Sequence, residues 1–306
     1  MTGNVETPQA GIFALGTASH AYLEFDLRTG AAPGELVARL ASLREPRTTL
    51  GGVNLVVGLR PELWRDQLGA AAPADLHGFD EPVVGPDGFT MPSTQHDAVL
   101  WLAGSAYDVV FDIARRAIDW LRPVAAVADE TSSWPYQHDR DLTGFVDGTE
   151  NPSLADAPGI ALVPPGQPGA GGSVLLLQRW THDADAWGGL PVAGQEAAMG
   201  RTKDDSIELD PRPISSHVAR TDQDDVGHVF RRNMPYGTVT AHGTMFVGFA
   251  ATQGPLALML DRMAGVDGGP RDELTRYTSA ETGAYYFVPA LGALHEFEPP
   301  SDDDDD

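Results

Sequence analysis

The segment from Gly144 to Pro152 reads Gly-Phe-Val-Asp-Gly-Thr-Glu-Asn-Pro and organises the sequence around one acidic loop. Its two glycines can adopt backbone angles that other residues avoid, so the loop can turn sharply and lie flat against a bound group. Asp147 stands between them, and such a loop can present a carboxylate to a ligand. A structural alternative is open, because Asp-Gly and Asn-Pro are common turn dipeptides and Thr149 or Asn151 can cap a following helix.

The composition limits what kind of protein this is. The 306 residues are 42% hydrophobic, enough for a sizeable core in one large domain or two of ordinary size. The absence of cysteine excludes disulfides, thiolate metal sites and a cysteine nucleophile, so redox chemistry requires a bound cofactor.

The net charge of -24, from 20 basic and 44 acidic residues, predicts repulsion of nucleic acid and anionic membranes and favours cationic partners. The first ten residues lack the basic and apolar regions of a signal peptide, and no run is long enough to span a bilayer. We therefore expect a cytoplasmic protein.

The first half of the sequence predicts the order β-α-β-β-α-β, which is typical of a ferredoxin-like α+β unit. One helix begins at Pro33, and a longer helix presents Val109, Ile113, Ala117 and Leu121 on its apolar face. The predicted strands are His20–Arg28, Asn54–Leu59, Phe79–Val84, Ala98–Ala103 and Val124–Ala128.

The second half predicts another α+β unit, although no residue-by-residue repeat supports a duplication. Pro158–Gly172 is rich in glycine and proline and is predicted to be a surface connection. The tail Ser301–Asp306 is expected to be disordered and solvated, with weak cation binding as the alternative. The predicted strands are Ser173–Trp180, His242–Thr252 and Tyr285–Val288, and the predicted helices lie at Gln195–Met199 and Pro255–Met263.

Three segments carry a resemblance to a known family. Gly-Phe-Val-Asp-Gly resembles the GxxDG signature of the dye-decolorizing peroxidases, and the following Thr-Glu-Asn-Pro is similar to their bacterial B-type, or P-type, members. Ser216–Arg220 and Arg231–Pro235 resemble the family's haem-ligand and distal-arginine segments, in the same order. The resemblance extends over nearly the whole chain except the first ten residues and the acidic tail.

The resemblance implies two ferredoxin-like domains in tandem, with antiparallel sheets and with haem held mainly by the C-terminal one. The corresponding boundaries are a flexible N-terminus at 1–10, domains at 11–140 and 141–300, and a disordered tail at 301–306. It also implies one haem b per chain and a homo-oligomer. The tail is aspartate where an encapsulin-targeting peptide has small and apolar residues, so we expect no encapsulation.

The implied activity is that of a haem-dependent peroxidase. Hydrogen peroxide would be reduced through an oxyferryl intermediate, and organic reductants such as dyes and phenols, or metal ions, would be oxidised in one-electron steps. A surface aromatic residue could pass electrons from bulky reductants, but the sequence does not identify it.

His217 is the implied axial ligand of the haem iron, because imidazole is a common peroxidase ligand and the context Ser-His-Val-Ala-Arg matches. His182, His228 and His242 are the alternatives among nine histidines. A ligand imidazole is usually oriented by an acceptor on its second nitrogen. Asp261 is a candidate for that acceptor, unless it is simply solvated on its helix.

On the distal side the resemblance assigns proton transfer to Asp147 and stabilisation of the peroxide anion to Arg231. The arginine favours an ionised Asp147 whereas burial opposes it, and the sequence leaves the balance open. Asn233 would hydrogen-bond an iron-bound oxygen or an ordered water. Adjacent strand residues face opposite ways, so Arg232 is expected to form a surface salt bridge instead.

The remaining cofactor contacts are implied for the loop residues Gly148 and Thr149 and for Arg201, whose guanidinium could pair with a haem propionate. Phe246 and its neighbour Met245 could line the distal side or belong to the core.

Two other functions fit parts of the pattern. A chlorite-dismutase-like enzyme shares the α+β haem architecture, but the distal aspartate of Gly-Phe-Val-Asp-Gly disfavours it. A haem-binding, storage or iron-release protein could keep the ligand with little turnover. A rapid spectral response to peroxide would distinguish a peroxidase from the latter.

Overall fold

The computed structural model describes residues 6–44, 52–137 and 140–299, so the predicted acidic tail lies outside the described residues. The strands in these ranges are β1 Ser19–Leu27, β2 Val53–Leu59, β3 Val83–Val84, β4 Thr90–Met91, β5 Ala98–Gly104, β6 Ala125–Ser133, β7 Ser173–His182, β8 Phe230–Arg231, β9 Met234–Gly237, β10 His242–Ala250, β11 Thr278–Ala280 and β12 Ala284–Val288. The helices are α1 Pro33–Ala41, α2 Pro61–Leu68, α3 Tyr107–Leu121, α4 Ala157–Ala161, α5 Ala184–Gly188, α6 Val192–Met199, α7 His217–Arg220, α8 Gln223–Val226, α9 Gln253–Ala264 and α10 Leu291–His295.

Eight of the strands close into an antiparallel ring in the order β7-β12-β2-β5-β1-β6-β9-β10, with β10 pairing back to β7. The first half contributes β2-β5-β1-β6 and the second half β12-β7-β10-β9, so both halves place their first and third strands in the middle. The halves meet at two short seams, Leu59 with Phe287 and Ser133 with Tyr236.

Side-chain alternation along these strands divides the core in two. Tyr22 on β1 packs with Trp101, Phe249 and Tyr286 in a cluster that strands of both halves build. Leu23, the next residue on β1, faces the other way, into a larger core that the helices α1, α3 and α9 help to form. The ring is therefore filled with side chains and also covered by helices.

Two sequence predictions need correction in the first half. The buried face of α3 consists of Val110, Ala114, Ala117 and Leu121, which confirms Ala117 and Leu121, whereas Val109 is 39% exposed and Val110 is buried in its place. The predicted strand Phe79–Val84 is reduced to Val83–Val84, because Pro82 has no N–H for a ladder and Phe79 instead packs against Tyr285.

Two further segments pack more tightly than their composition predicts. The segment Pro158–Gly172 is not wholly a surface connection, since Ala161 of α4 is completely buried, Val163 is only 5% exposed, and α4 packs beside β8 and β10. Gln9 lies in the range predicted to be a flexible N-terminus, yet it is only 2% exposed. Its side-chain amide donates to the carbonyl oxygens of Val57 and Pro289, both at 2.9 Å.

Within the described residues, no helix combines the length and the apolar character needed to cross a membrane.

Glu24 is a buried acid inside the ring. The Tyr286 hydroxyl donates to its Oε1 at 2.6 Å, which links β1 to β12 across the two halves. Burial raises the pKa of Glu24 to about 7, and the hydrogen bond from Tyr286 offsets this only in part. The folded protein therefore keeps a proton here at pH values at which the unfolded chain has lost it.

We expect Glu24→Gln to gain stability over the wild type as the pH rises. Between the ordinary pKa of 4.5 and about 7, the proton is bound only in the folded state, so wild-type stability falls across this window and then levels off. The relative gain from pH 5 to pH 8 should be on the order of 3 kcal/mol. Denaturant unfolding at both pH values measures it, with Glu35→Gln, an exposed acid on α1, as the control. Equal differences from wild type at the two pH values would contradict the expectation.

Candidate active site

A cavity opens in the second half of the chain, with an empty volume of about 1080 Å³ that includes its mouth. Its lining residues all fall between Asp141 and Thr278, and they include residues of the acidic loop, β7, β8, β10, α7 and α9. The apolar part of the wall includes Phe145, Val146, Trp180, Met199, Val218, Phe246, Met259, Leu260, Met263 and Leu274.

His217 is the first residue of α7, and its imidazole lines the cavity. Its Nδ1 lies 2.7 Å from Oδ2 of Asp272, which is completely buried. The other Asp272 oxygen accepts the backbone N–H of Leu274 at 2.9 Å, so the carboxylate is fixed in place. An ionised carboxylate can only accept, so Nδ1 donates its proton to Asp272, and in the neutral imidazole Nε2 keeps a free lone pair.

The pKa of His217 is raised overall. Burial acts to lower it, but the Asp272 carboxylate outweighs burial through its charge and its hydrogen bond. The prediction that Asp261 accepts the hydrogen bond from His217 is therefore wrong, because Asp272 accepts it. The chain turns back after α9 at Gly265, whose φ is 76°, and the Asp272 backbone N–H then bonds to Met263 O. That return brings Asp272, not Asp261, to the imidazole.

Asp147 and Asn233 are connected on another part of the wall. The Asn233 side-chain Nδ2 donates to Asp147 Oδ1 at 3.3 Å, and its Oδ1 accepts the Val247 backbone N–H at 3.1 Å. The amide therefore links the loop carboxylate to β10 and limits where Asp147 can point.

Asn151, the asparagine of the loop motif, holds Arg231 in position. Its side chain accepts the Arg231 backbone N–H at 2.9 Å and donates to the Arg231 carbonyl at 2.7 Å. Gly148 allows this contact, because its φ is 76° and a Cβ there would lie 3.2 Å from Asn151 Nδ2. Thus the motif both presents Asp147 and fixes the backbone of Arg231 through Asn151.

The two adjacent arginines face opposite ways, as expected for a strand. Arg231 lines the cavity, and its nearest carboxylate oxygen, on Glu150, is 3.9 Å from Nη2. Arg232 does not form the predicted surface salt bridge, since it is only 4% exposed. Its guanidinium lies 5.0 Å from the centre of the Trp101 ring and donates to Ile12 O at 2.8 Å, while burial lowers the pKa of Arg232 to about 10.

Arg201 also lines the cavity, where its Nη2 contacts Glu150 at 2.7 Å and Glu208 at 2.8 Å. Its Nε, the Nε of Arg231 and the Nε2 of Gln178 are buried without a hydrogen-bond partner among the described residues. Buried donors are normally satisfied in proteins. Three unsatisfied donors on residues of one cavity wall indicate a site built for a ligand with acceptor groups.

The structure brings every predicted site residue to this cavity. They are Asp147, Gly148, Thr149, Arg201, His217, Arg231, Asn233 and Phe246. Met245 is not among them, because it faces the ring interior from β10. Of the alternative histidines, His182 lines the cavity but its Nε2 bonds to the Thr244 hydroxyl at 3.1 Å, and His228 and His242 lie elsewhere.

Sequence reasoning missed Asp272, Glu150 and Gln178. Glu150 stands inside the quoted loop and could have been singled out, and Gln178 is a polar residue directly after the apolar run from Val174 to Leu177, which is itself a signal. Asp272 is 55 residues from His217 and carries no local signature.

Comparisons with known proteins match most of the chain to members of one family. The family model described as Dyp-type peroxidase, C-terminal, matches residues 138–293. A dye-decolorizing peroxidase of Brevibacterium linens is 35% identical over 254 residues, which cover 80% of this chain and 69% of that protein. One of Rhodococcus erythropolis is 33% identical over 290 residues, covering 90% and 84%. The crystal structure of a Rhodococcus jostii RHA1 DypB variant in complex with heme superposes with a TM-score of 0.87 and 31% identity, covering 96% of this chain and all of the other.

Proposed function

The chain belongs to the dye-decolorizing peroxidase family of haem-dependent enzymes, and from this premise we propose how its own residues carry out the reaction. Bound haem supplies the iron that takes oxidising equivalents from hydrogen peroxide and passes them to reductants. The tasks left to the protein are to hold the cofactor, to move one proton and to stabilise developing charge.

The residues of the cavity fit haem. His217 would hold the haem iron through Nε2, which is free in the neutral imidazole while Asp272 holds the proton on Nδ1, the arrangement usual for a metal-binding histidine. The apolar side chains suit the macrocycle, and the unsatisfied donors on Arg201, Arg231 and Gln178 suit carboxylate or other acceptor groups. This convergence of one free imidazole nitrogen and three unsatisfied donors is the observation on which the proposal rests.

Asp147 is the proposed proton carrier. Its carboxylate would accept a proton from one peroxide oxygen and return it to the other, which leaves as water. The Asn233 amide fixes one of its oxygens, so the second remains available for the transfer. Arg231 would hold the peroxide anion and stabilise negative charge as the O–O bond breaks.

The proposal also covers the domain architecture, the cellular location and the oligomeric state. The two halves, 11–140 and 141–300, are proposed to be two ferredoxin-like domains, which the shared strand order supports. Haem would then be held by the C-terminal half, where every cavity residue lies. A B-type assignment, a cytoplasmic location and a homo-oligomer are proposals that rest on the sequence alone.

The stoichiometry of turnover tests the proposed function. Haem-loaded protein should consume one hydrogen peroxide for every two molecules of a neutral phenol oxidised, without releasing oxygen. Loss of peroxide with no oxidation of the phenol would instead indicate a haem-binding protein with little turnover. Oxygen release from chlorite would indicate the dismutase alternative.

Salt should change the rates for anionic and cationic reductants in opposite directions. A net charge of -24 lowers the local concentration of anions and raises that of cations. Added salt weakens this effect, because it shortens the screening length to about 8 Å at physiological ionic strength. Oxidation of a sulfonated dye should accelerate with salt, whereas oxidation of Mn²⁺ should slow. Steady-state rates across a salt series at fixed pH measure both, with a neutral phenol as the control. The same salt response for dye and Mn²⁺ would contradict the expectation.

A further inference from the structure

A second chamber adjoins the cavity, with an empty volume of about 680 Å³ that includes its mouth. Thr143, His182, Leu274 and Thr278 line both spaces, so the two share a wall. Asp147, Arg231 and His217 line only the first cavity. The chamber is thus a neighbouring space that none of the proposed catalytic steps uses.

Rigid aromatic rings form one side of the chamber. Trp187 lies edge-on to Tyr277, with ring centroids 5.4 Å apart, and edge-on to Phe145 behind it at 6.1 Å. The Trp187 indole N–H donates to Thr143 O at 2.9 Å, and its carbonyl accepts the buried Gln195 amide, also at 2.9 Å. These bonds fix the Trp187 ring, and Tyr277, which packs on it and is partly exposed, offers an aromatic surface for another flat ring.

Lys203, which also lines the chamber, is the only lysine in the sequence. Its ammonium donates to Gln195 Oε1 at 2.6 Å and lies 5.6 Å from the centre of the Phe145 ring. Among the described residues it forms no ion pair, and the nearby Glu196 carboxylate bonds to the Lys203 backbone N–H instead. An ammonium carries three protons, so two remain for a ligand.

Arg140 adds a second positive charge beside the chamber. It donates to the carbonyl oxygens of Gly144 and Lys203, at 2.7 and 3.0 Å, and within residues 6–44, 52–137 and 140–299 it forms no ion pair. Among the same residues Lys203 has no carboxylate partner either, so these two cations can attract an anion although the chain carries 44 acidic residues.

The acidic loop is shaped around this lysine. Gly144 has φ of 87°, and a Cβ on it would lie 2.8 Å from Lys203 Cε and 3.1 Å from Nζ. The positive φ favours glycine at this turn, and the absence of a Cβ leaves room for the lysine side chain to cross the loop without moving. The same loop carries Asp147, so one loop contributes residues to both the chamber and the catalytic cavity.

We propose that this chamber binds small aromatic monocarboxylates, with the ring against Trp187 and Tyr277 and the carboxylate on the Lys203 ammonium. Resting on the proposed function, the inference makes phenolic acids the reductants that the site selects. Each phenolic acid would lose one electron and its phenolic proton to become a phenoxyl radical, so two of them and one hydrogen peroxide yield two radicals and two waters.

Calorimetric titration of the resting, haem-loaded protein without peroxide tests the binding. At low salt, 4-hydroxybenzoate should bind at least tenfold more tightly than its neutral analogue 4-hydroxybenzamide, because only the former makes a charge-assisted bond. Lys203→Met should abolish this preference, and Lys203→Arg should retain part of it. Arg122→Met, which removes an exposed cation in the first half, is the matched control and should bind as the wild type does.

The absorption spectrum supplies a second readout. Binding in the chamber should leave the Soret band in place, whereas a ligand on the iron would shift it. Affinity for 4-hydroxybenzoate that is equal in wild type and Lys203→Met, or that shifts the Soret band, would overturn the proposal.

The two proposals fail separately. If peroxide oxidises a neutral phenol but no Lys203-dependent binding is found, the chamber proposal is wrong and the proposed function stands. If 4-hydroxybenzoate binds through Lys203 but peroxide oxidises no phenol, the chamber proposal holds and the proposed function is wrong.

Discussion

Replacing His217 with alanine should leave a folded protein that no longer holds haem through a histidine. The imidazole is the one cavity side chain with a free ring nitrogen and a carboxylate behind it, at 2.7 Å. Alanine removes the proposed bond to iron and leaves Asp272 buried without its partner. The Soret band of haem-titrated protein should therefore be lost or should take the form of a weakly ligated haem, and circular dichroism should show that the fold persists.

Two further variants make the His217 assignment specific. His182→Ala removes the other histidine of the cavity wall, which lacks a carboxylate partner in its hydrogen bonding, and it should keep the histidine-ligated spectrum. Asp272→Asn keeps the imidazole but weakens its orientation, and such changes typically cost about 10–100-fold in affinity for the metal group. A histidine-ligated spectrum in His217→Ala, or its loss in His182→Ala, would show that the ligand is misassigned.

Replacing Arg231 with leucine should slow the reaction with peroxide by about 100- to 1,000-fold, the usual effect of losing one preorganised donor. Its backbone is held by Asn151 on both sides and its Nε has no protein partner, so the guanidinium is positioned but not consumed by other bonds. Asp147→Ala should cost less, because water can partly replace a proton carrier, whereas water cannot replace the positive charge of a guanidinium.

Stopped-flow recording of the Soret change after mixing with peroxide measures both rates. Arg231→Lys serves as the matched control, since it keeps the charge but loses the fork of donors, and it should lie between wild type and leucine. A larger loss in Asp147→Ala than in Arg231→Leu would reverse the division of roles and leave the family membership intact.

Local sequence motifs predicted which residues line the cavity. They could not predict contacts between residues that are far apart in the sequence. The loop from Gly144, the histidine segment and the Arg-x-Asn segment each carry their signal within a few residues, and all three converge. The partner of His217 depended on how the chain returns after α9, which no spacing encodes. Asp261 was suggested because it lies on that helix, and Asp272 beyond the turn makes the bond.

Burial explains the other differences. Strand alternation correctly separated Arg231 from Arg232, but a charged residue was assumed to reach solvent, and Arg232 instead satisfies backbone carbonyls beneath the ring of Trp101. Composition likewise predicted that Pro158–Gly172 packs little, although its Ala161 is buried completely and its Val163 almost completely. Periodicity and composition describe one segment at a time, whereas burial depends on what packs against it.

The closed strand ring also sets an order in which the chain can assemble. Strands β2, β5, β1 and β6 pair only with one another except at the two seams, so the first half can complete its sheet while the second half is still being synthesised. The cavity wall runs from Asp141 to Thr278, and β12 must then insert between β7 and β2. Pairing across more than 100 residues, as between Leu177 and Ala284, is slow because a long loop must close first. The cavity wall is therefore complete only after the chain through Thr278 has been made, and capture of the cofactor would follow that step.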